Sequence, residues 1–233
     1  LPEVRSASLS FGSAIHAALE HAQKLVNGND FNLASVLKSF DESLASEHLD
    51  TQEQTRYQEH GHLLLNKLFS EQLVQLKPGG FPERRVSEVS VGDSLVKGVF
   101  DLLEIDENSV RIIDYKTGQG LKSLTSTSQA DGIRAWKHRL QLTYYTLLAR
   151  YSGIANQNQT VSAEMVYVEA DDPAHMRKTF TPSSEELERL AKIIQVVCAR
   201  LHTVDLPDVS SYDKDLSGIL QFESDLLKSY NKE

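Results

Sequence analysis

Apolar residues recur at helical spacing through the first part of the chain, residues 12–76. Each apolar stripe repeats in steps of three and four residues, which is typical of a helix with one buried face. Ser10 or Ser13 is placed to cap the first helix, and Pro78-Gly79-Gly80 ends the third. The pattern therefore predicts three helices, with stripes at 15–26, 33–44 and 64–73.

From residue 82 onward, apolar residues recur at every second position instead of every third or fourth. Short runs rich in β-branched and apolar residues alternate with polar turns, so consecutive strands are predicted to pair as an antiparallel meander. These strands are predicted at 86–91, 95–105 and 110–116.

Helical periodicity returns after the meander. A helix is predicted over 139–150, a strand over 161–168 and an amphipathic helix over 215–230. Ser183 and Glu186 are spaced as a capping box before a further helix that extends to Leu201. No linker forces a division, so we expect one domain over 1–233, with an N-terminal helical part at 12–76, a core at 82–170 and C-terminal helices at 183–230.

Composition narrows the class of protein. The 233 residues are 40% apolar, and 24 basic against 33 acidic residues give a net charge of −9. A pure polyanion-binding module would be basic, so contact with nucleic acid would need a local basic patch or metal ions.

The single cysteine, Cys198, excludes an internal disulfide or a four-thiolate iron–sulfur cluster and indicates a reducing compartment. With neither a membrane-length apolar run nor a signal peptide, we expect a cytoplasmic protein, nucleoid-associated if bacterial.

The densest group of charged residues lies near the ends of two predicted strands. Asp114 and Lys116 are two apart and therefore share one face of a strand, while Ile112 and Ile113 indicate that both faces are buried. Antiparallel pairing would bring Asp101 close to Asp114, and two carboxylates suit Mg²⁺ or Mn²⁺. Lys116 is placed to hold or deprotonate an attacking water. The alternative is a plain Asp114–Lys116 ion pair.

Four motifs, in order over residues 12–150, resemble the RecB-like branch of the PD-(D/E)XK nuclease superfamily. They are G-x-x-x-H ending at His16, G-x-x-D ending at Asp101, D-Y-K-T-G beginning at Asp114, and Q-x-x-x-Y from Gln141 to Tyr145. The resemblance implies an α+β (α/β) fold with a restriction-endonuclease-like core, in which helices flank a central mixed β-sheet.

The resemblance also implies roles for individual residues. His16, Asp101 and Asp114 match metal ligands, the backbone carbonyl of Tyr115 could complete the metal's coordination, and Lys116 matches the catalytic lysine. A glutamate before the first core strand completes the catalytic set in such families. Spacing leaves both Glu83 and Glu88 open for this position, and we favour Glu83, which begins the strand beside Arg84 and Arg85. For His16 the alternative is a helix-surface or capping histidine.

Residues that contact DNA are expected on the helix after the core strands. In the family, Gln141 and Tyr145 line the active site and contact the DNA backbone. Basic residues surround an aromatic ring just before them, and this combination suits a single strand. The alternative is a solvated helix start with Trp136 packed on the core. The candidate DNA-binding patch comprises Arg134, Lys137, Arg139 and Trp136, with His138 among these basic residues.

We therefore expect a deoxyribonuclease that depends on Mg²⁺ or Mn²⁺, hydrolyses phosphodiester bonds as an exonuclease, and carries no iron–sulfur cluster. Family habit and the missing initiator Met predict an excised C-terminal nuclease module of a helicase–nuclease in DNA repair and recombination. Its expected partners are DNA, as ends or single strands, and a helicase motor in the same polypeptide or complex. The alternative is an inactive nuclease fold kept as a DNA-binding or docking module.

Overall fold

Five strands form a single sheet in the computed structural model, which describes residues 6–230 and their side chains through residue 228. The strands are β1 (Phe81–Val91), β2 (Ser94–Ile105), β3 (Ser109–Lys116), β4 (Thr160–Tyr167) and β5 (Arg177–Phe180). Their order across the sheet follows the chain. Neighbouring strands are antiparallel except for β3 and β4, which are parallel and are joined by a crossover helix. The predicted α+β fold with a mixed sheet is confirmed.

The described chain also contains seven helices, which are α1 (Ala7–Asn27), α2 (Leu33–Ala45), α3 (Thr51–Ser70), α4 (Gly132–Tyr151), α5 (Pro173–Met176), α6 (Ser184–Thr203) and α7 (Leu216–Tyr230). The capping box at Ser183 and Glu186 is confirmed. The cap of α1 was predicted wrongly: Ser6 accepts the hydrogen bond from Leu9 N, and Ser10 lies buried inside the helix. None of these helices is both long and apolar enough to cross a membrane.

The sheet separates two apolar layers. On one side, α1, α2 and α3 pack against Leu102, Ile113 and Tyr115. On the other side, α4 packs against Phe100 and Ile112. A third cluster joins α6 to the far side of α4 and to the end of β1. This layering places the carboxyl end of β3 between α1 and α4, so residues from both helices can meet there.

Candidate active site

Asp114 and Lys116 form an ion pair at the carboxyl end of β3. Lys116 Nζ lies 2.7 Å from Asp114 Oδ2, and the Asp114 side chain is only 3% exposed. Asp114 Oδ1 accepts hydrogen bonds from the Tyr145 hydroxyl at 2.9 Å and from Gln141 Nε2 at 3.0 Å. Tyr115, which lies between Asp114 and Lys116 in the chain, packs in the apolar layer formed with α1, on the other side of the sheet. Two residues of the Q-x-x-x-Y motif on α4 therefore hold the carboxylate that contacts Lys116.

Burial raises the pKa of Asp114, and the neighbouring charge of Asp101 raises it further. The ion pair with Lys116 and the hydrogen bond from Tyr145 act in the opposite direction, but the net shift of the pKa is upward.

Asp101 lies beside Asp114, as strand pairing predicted. The ladder between β2 and β3 ends at the pair Leu102–Ile113, and the next step of the same register places Asp101 across from Asp114. There the Asp101 side chain takes the place of a backbone carbonyl in the hydrogen bonding between the two strands. Its Oδ2 accepts a hydrogen bond from Tyr115 N at 2.8 Å. The same oxygen lies 3.4 Å from His16 Nδ1 on α1.

The alternation of side chains along β2 is interrupted at Asp101. Phe100 packs in the α4 layer and Leu102 in the α1 layer, although residues two apart in a regular strand point the same way. The flanking pairs Pro82–Leu102 and Arg84–Phe100 put Glu83 of β1 opposite this point. Glu83 has a φ of 47°, a conformation that costs a non-glycine residue roughly 1–3 kcal/mol.

His16, Glu83 and Asp101 converge from α1, β1 and β2. One ligand atom from each lies within 4.8 Å of the other two. Burial alone would lower the pKa of His16, but the hydrogen bond and charge of Asp101 outweigh it and raise this pKa above 6.5. Burial and the charge of Asp101 raise the pKa of Glu83. The two carboxylates supply the oxygen ligands that Mg²⁺ or Mn²⁺ takes, and a cation would offset the repulsion between the acids.

The geometry separates the two candidate glutamates. Glu88 is exposed on β1, where the register with β2 shifts between Val86 and Val89. Glu83 is the one that joins His16 and Asp101. Asp114, expected among the metal ligands, is outside this three-residue group in the described side-chain arrangement.

A cleft of about 550 Å³ opens above these residues. Its walls include Tyr115, Lys116 and residues from the first turns of α1, among them Gly12. A Cβ at Gly12 would lie 3.2 Å from the Thr117 hydroxyl oxygen, so glycine lets α1 approach the turn after β3 closely. This close approach accounts for the glycine of the G-x-x-x-H motif.

Comparison with known proteins adds the family. The sequence model of the PD-(D/E)XK nuclease superfamily matches residues 1–212. The chain belongs to this superfamily. Curated proteins give no match. Among solved structures, a putative exonuclease from Eubacterium rectale is 12% identical, with 88% of this chain and 69% of that chain covered and a TM-score of 0.49. The protein SSO0001 is 17% identical, with 82% and 85% covered and a TM-score of 0.34. Both TM-scores are below 0.5, so the family assignment rests on the sequence model.

Helix α4 divides the predicted DNA-binding patch of this superfamily member between two faces. Steps of three and four residues place Arg134, Lys137, Gln141 and Tyr145 on the side of the site. Arg134 donates to the Gln119 carbonyl at 3.1 Å, and Lys137 is exposed.

Trp136 and Arg139 lie on the opposite side of α4. Trp136 Nε1 donates to Glu223 on α7 at 3.2 Å, and Arg139 is paired with Glu186 on α6. These two side chains therefore lie apart from Arg134 and Lys137, because α4 begins at Gly132 and its helical turn directs them toward the C-terminal helices.

His138, which the sequence places among the basic residues of this patch, lies on the side of α4 that faces the site. Its Nδ1 is hydrogen-bonded with the Tyr167 hydroxyl at 2.6 Å, at the end of β4. Burial, together with the charges of Lys116, Arg134 and Lys137, lowers the pKa of His138 to about 4. The three-residue spacing between His138 and Gln141 indicates that both residues share this side of α4.

Proposed function

We propose that the chain is a divalent-metal-dependent DNA nuclease of the RecB-like branch, hydrolysing phosphodiester bonds. One observation carries this proposal: a group of three potential metal ligands lies beside a buried aspartate that is paired with a lysine, at one end of the sheet. The order of the four motifs supports the branch.

His16, Glu83 and Asp101 would hold the cation, with the Tyr115 carbonyl as a further ligand, and Asp114 is proposed to complete the acidic set. Bound Mg²⁺ or Mn²⁺ supplies Lewis-acid polarisation of a phosphate oxygen and lowers the pKa of water.

The chain's own residues supply the remaining chemistry. Tyr145 and Gln141 hold Asp114, and Asp114 holds the ammonium of Lys116 at the cleft wall. Lys116 then orients the attacking water and offsets negative charge that develops on the phosphate. The catalytic residues proposed are Lys116, Asp114, Asp101 and Glu83.

Arg134, Lys137, Gln141 and Tyr145 are proposed to contact the DNA backbone, because they share the side of α4 that meets Asp114. Trp136 and Arg139 are left out of this set. The resemblance to the RecB-like branch further supports exonuclease action as the nuclease module of an intracellular helicase–nuclease in DNA repair and recombination.

Cleavage of end-labelled single- and double-stranded DNA in Mg²⁺, Mn²⁺ or EDTA tests the proposal. We expect metal-dependent cleavage that falls by about 10²-fold or more in Lys116→Ala, because the residue that handles the water is lost. Lys122→Ala is the matched control, since Lys122 is an exposed lysine in the following loop.

Full activity in Lys116→Ala or Asp114→Ala would show that the catalytic assignment is wrong. A folded wild-type protein that binds Mn²⁺ but cleaves no DNA would instead favour a nuclease module that needs its helicase. A folded protein that binds no metal would favour the docking-module alternative. The product ladder would distinguish exonuclease from endonuclease action.

A further inference from the structure

One side of the β1–β2 hairpin is uncovered beyond the active-site cleft. Val86, Val89 and Val96 pack into the layer formed with α4. Gly98 faces the same way, since a Cβ there would meet Leu148 of α4 at 2.5 Å. The residues that alternate with these point to the other side and are exposed. We call this surface the open hairpin face, and it comprises Arg85, Ser87, Leu95 and Lys97.

The open hairpin face continues into the cleft. Arg85 is the cross-strand partner of Val99, and partners across a sheet share a side. Val99 lines the cleft beside Asp101. Burial and Asp101 raise the pKa of Glu83, and the charge of Arg85 opposes that rise, so this guanidinium is within electrostatic reach of the site. Along β2, Lys97 lies four residues from Asp101, or roughly 13 Å.

The face has two basic side chains without acidic partners. Through the described part of the chain, neither Arg85 nor Lys97 forms an ion pair within 4.0 Å. Glu88 is the opposing charge, because it is exposed and lies in the bulge between Val86 and Val89, opposite Lys97 in the register of the two strands. Leu95 is 69% exposed and offers an apolar contact next to the cations. Cations without acidic partners suit the phosphates of a nucleic-acid strand, and an exposed apolar side chain beside them leaves room for the bases.

We propose that the DNA strand flanking the scissile phosphate runs along the open hairpin face, with its phosphates on Arg85 and Lys97. This inference rests on the proposed nuclease function and assigns a path to its substrate. The strand would pass from α4, over the cleft, onto the hairpin.

The test is binding of a fluorescent single strand of about 20 nucleotides, followed by anisotropy from about 50 to 200 mM salt. The Lys116→Ala background with Mg²⁺ prevents cleavage during the measurement. We expect Arg85→Ala/Lys97→Ala to weaken binding about tenfold and to reduce the slope of log K against log salt by about 1.4, since each phosphate contact on a single strand contributes about 0.7. Glu88→Gln should strengthen binding, because it removes the opposing charge.

Lys67→Ala/Lys192→Ala is the matched control: both lysines are exposed, lie on α3 and α6, and alter the net charge equally. Equal binding and equal salt slopes in the two double variants would overturn the inference, as would an absence of DNA binding by the parent protein. A selective loss in Arg85→Ala/Lys97→Ala would support it even if wild-type protein cleaved no DNA, in which case the proposed function alone would fail.

Discussion

His138 is a half-buried histidine whose surroundings keep it neutral. Burial disfavours the imidazolium, and the cations Lys116, Arg134 and Lys137 disfavour it further. The hydrogen bond with Tyr167 holds the ring without adding an opposing charge. A neutral His138 therefore adds no further positive charge beside Lys116, Arg134 and Lys137.

The lowered pKa of His138 predicts how stability depends on pH. The imidazole has a pKa of about 4 in the folded state against 6.5 in the unfolded chain, so the unfolded chain binds more protons between these values. The free energy of unfolding should then fall as pH drops below 6.5. With a discount for partial exposure, the His138 contribution lost between pH 6.5 and 5 is about 1 kcal/mol. Urea denaturation in EDTA at several pH values measures it.

His138→Gln should flatten this part of the pH profile, whereas His48→Gln, at an exposed site on the loop after α2, should leave it unchanged. Identical slopes in wild type and His138→Gln would contradict the prediction.

Strand β2 positions the site through the packing of α4 upon it. Gly98 has no side chain, and Leu148 of α4 fills the space above it. Leu148 is fully buried, so it has little room to move aside. The same helix carries Gln141 and Tyr145, whose contacts with Asp114 depend on how closely α4 approaches the sheet. The glycine of the G-x-x-D motif therefore helps to position Asp114, in addition to Asp101 of the same motif.

Gly98→Ala should destabilise the protein and loosen the site. The new methyl group would lie 2.5 Å from Leu148 Cδ1, and overpacking of this kind costs about 1–3 kcal/mol. This outweighs the roughly 0.5–1 kcal/mol that replacing a strand glycine usually returns. Urea denaturation and DNA cleavage would measure the two effects.

A double-mutant cycle with Leu148→Ala identifies the cause. Gly98→Ala should cost much less in the Leu148→Ala background, because the truncated side chain leaves room for the methyl group. Additive costs in the two backgrounds would indicate that Leu148 is not responsible.

The whole molecule carries a net charge of −9, and several of its acidic side chains line one cleft. Mutual repulsion contributes to the raised pKa values of Glu83 and Asp114, which are already raised by burial. A divalent cation bound by the folded state alone should therefore stabilise it by mass action.

Mn²⁺ should raise the melting temperature of protein first stripped with EDTA. At a concentration 100 times the dissociation constant, the gain is about 2.7 kcal/mol, or roughly 5–10 °C for a chain of this size. Differential scanning fluorimetry measures the shift. His16→Ala should lose most of it, while Glu42→Gln, an exposed acid on α2, should retain it. An equal shift in both variants would place the cation elsewhere.

Elements with strong periodicity were predictable, and short ones were not. The meander and the main helices followed from apolar residues at steps of two or of three and four. Strand β5 and helix α5 were missed, since each spans only four residues. The start of α4 was predicted seven residues too late. Its first two turns carry charged residues and Trp136, so they show no clear apolar stripe. These turns pack against α6 and α7, and the sequence pattern does not reveal that contact.

The sequence by itself determined the α+β class, the meander and the proximity of Asp101 to Asp114, because strand alternation and hairpin pairing are local rules. Only the tertiary structure decided which glutamate joins His16, since this depends on where the register of β1 shifts. Likewise, only the packing of α6 and α7 decided that Trp136 and Arg139 face away from the site. Both outcomes depend on contacts between elements far apart in the chain, and spacing along the chain carries no information about them.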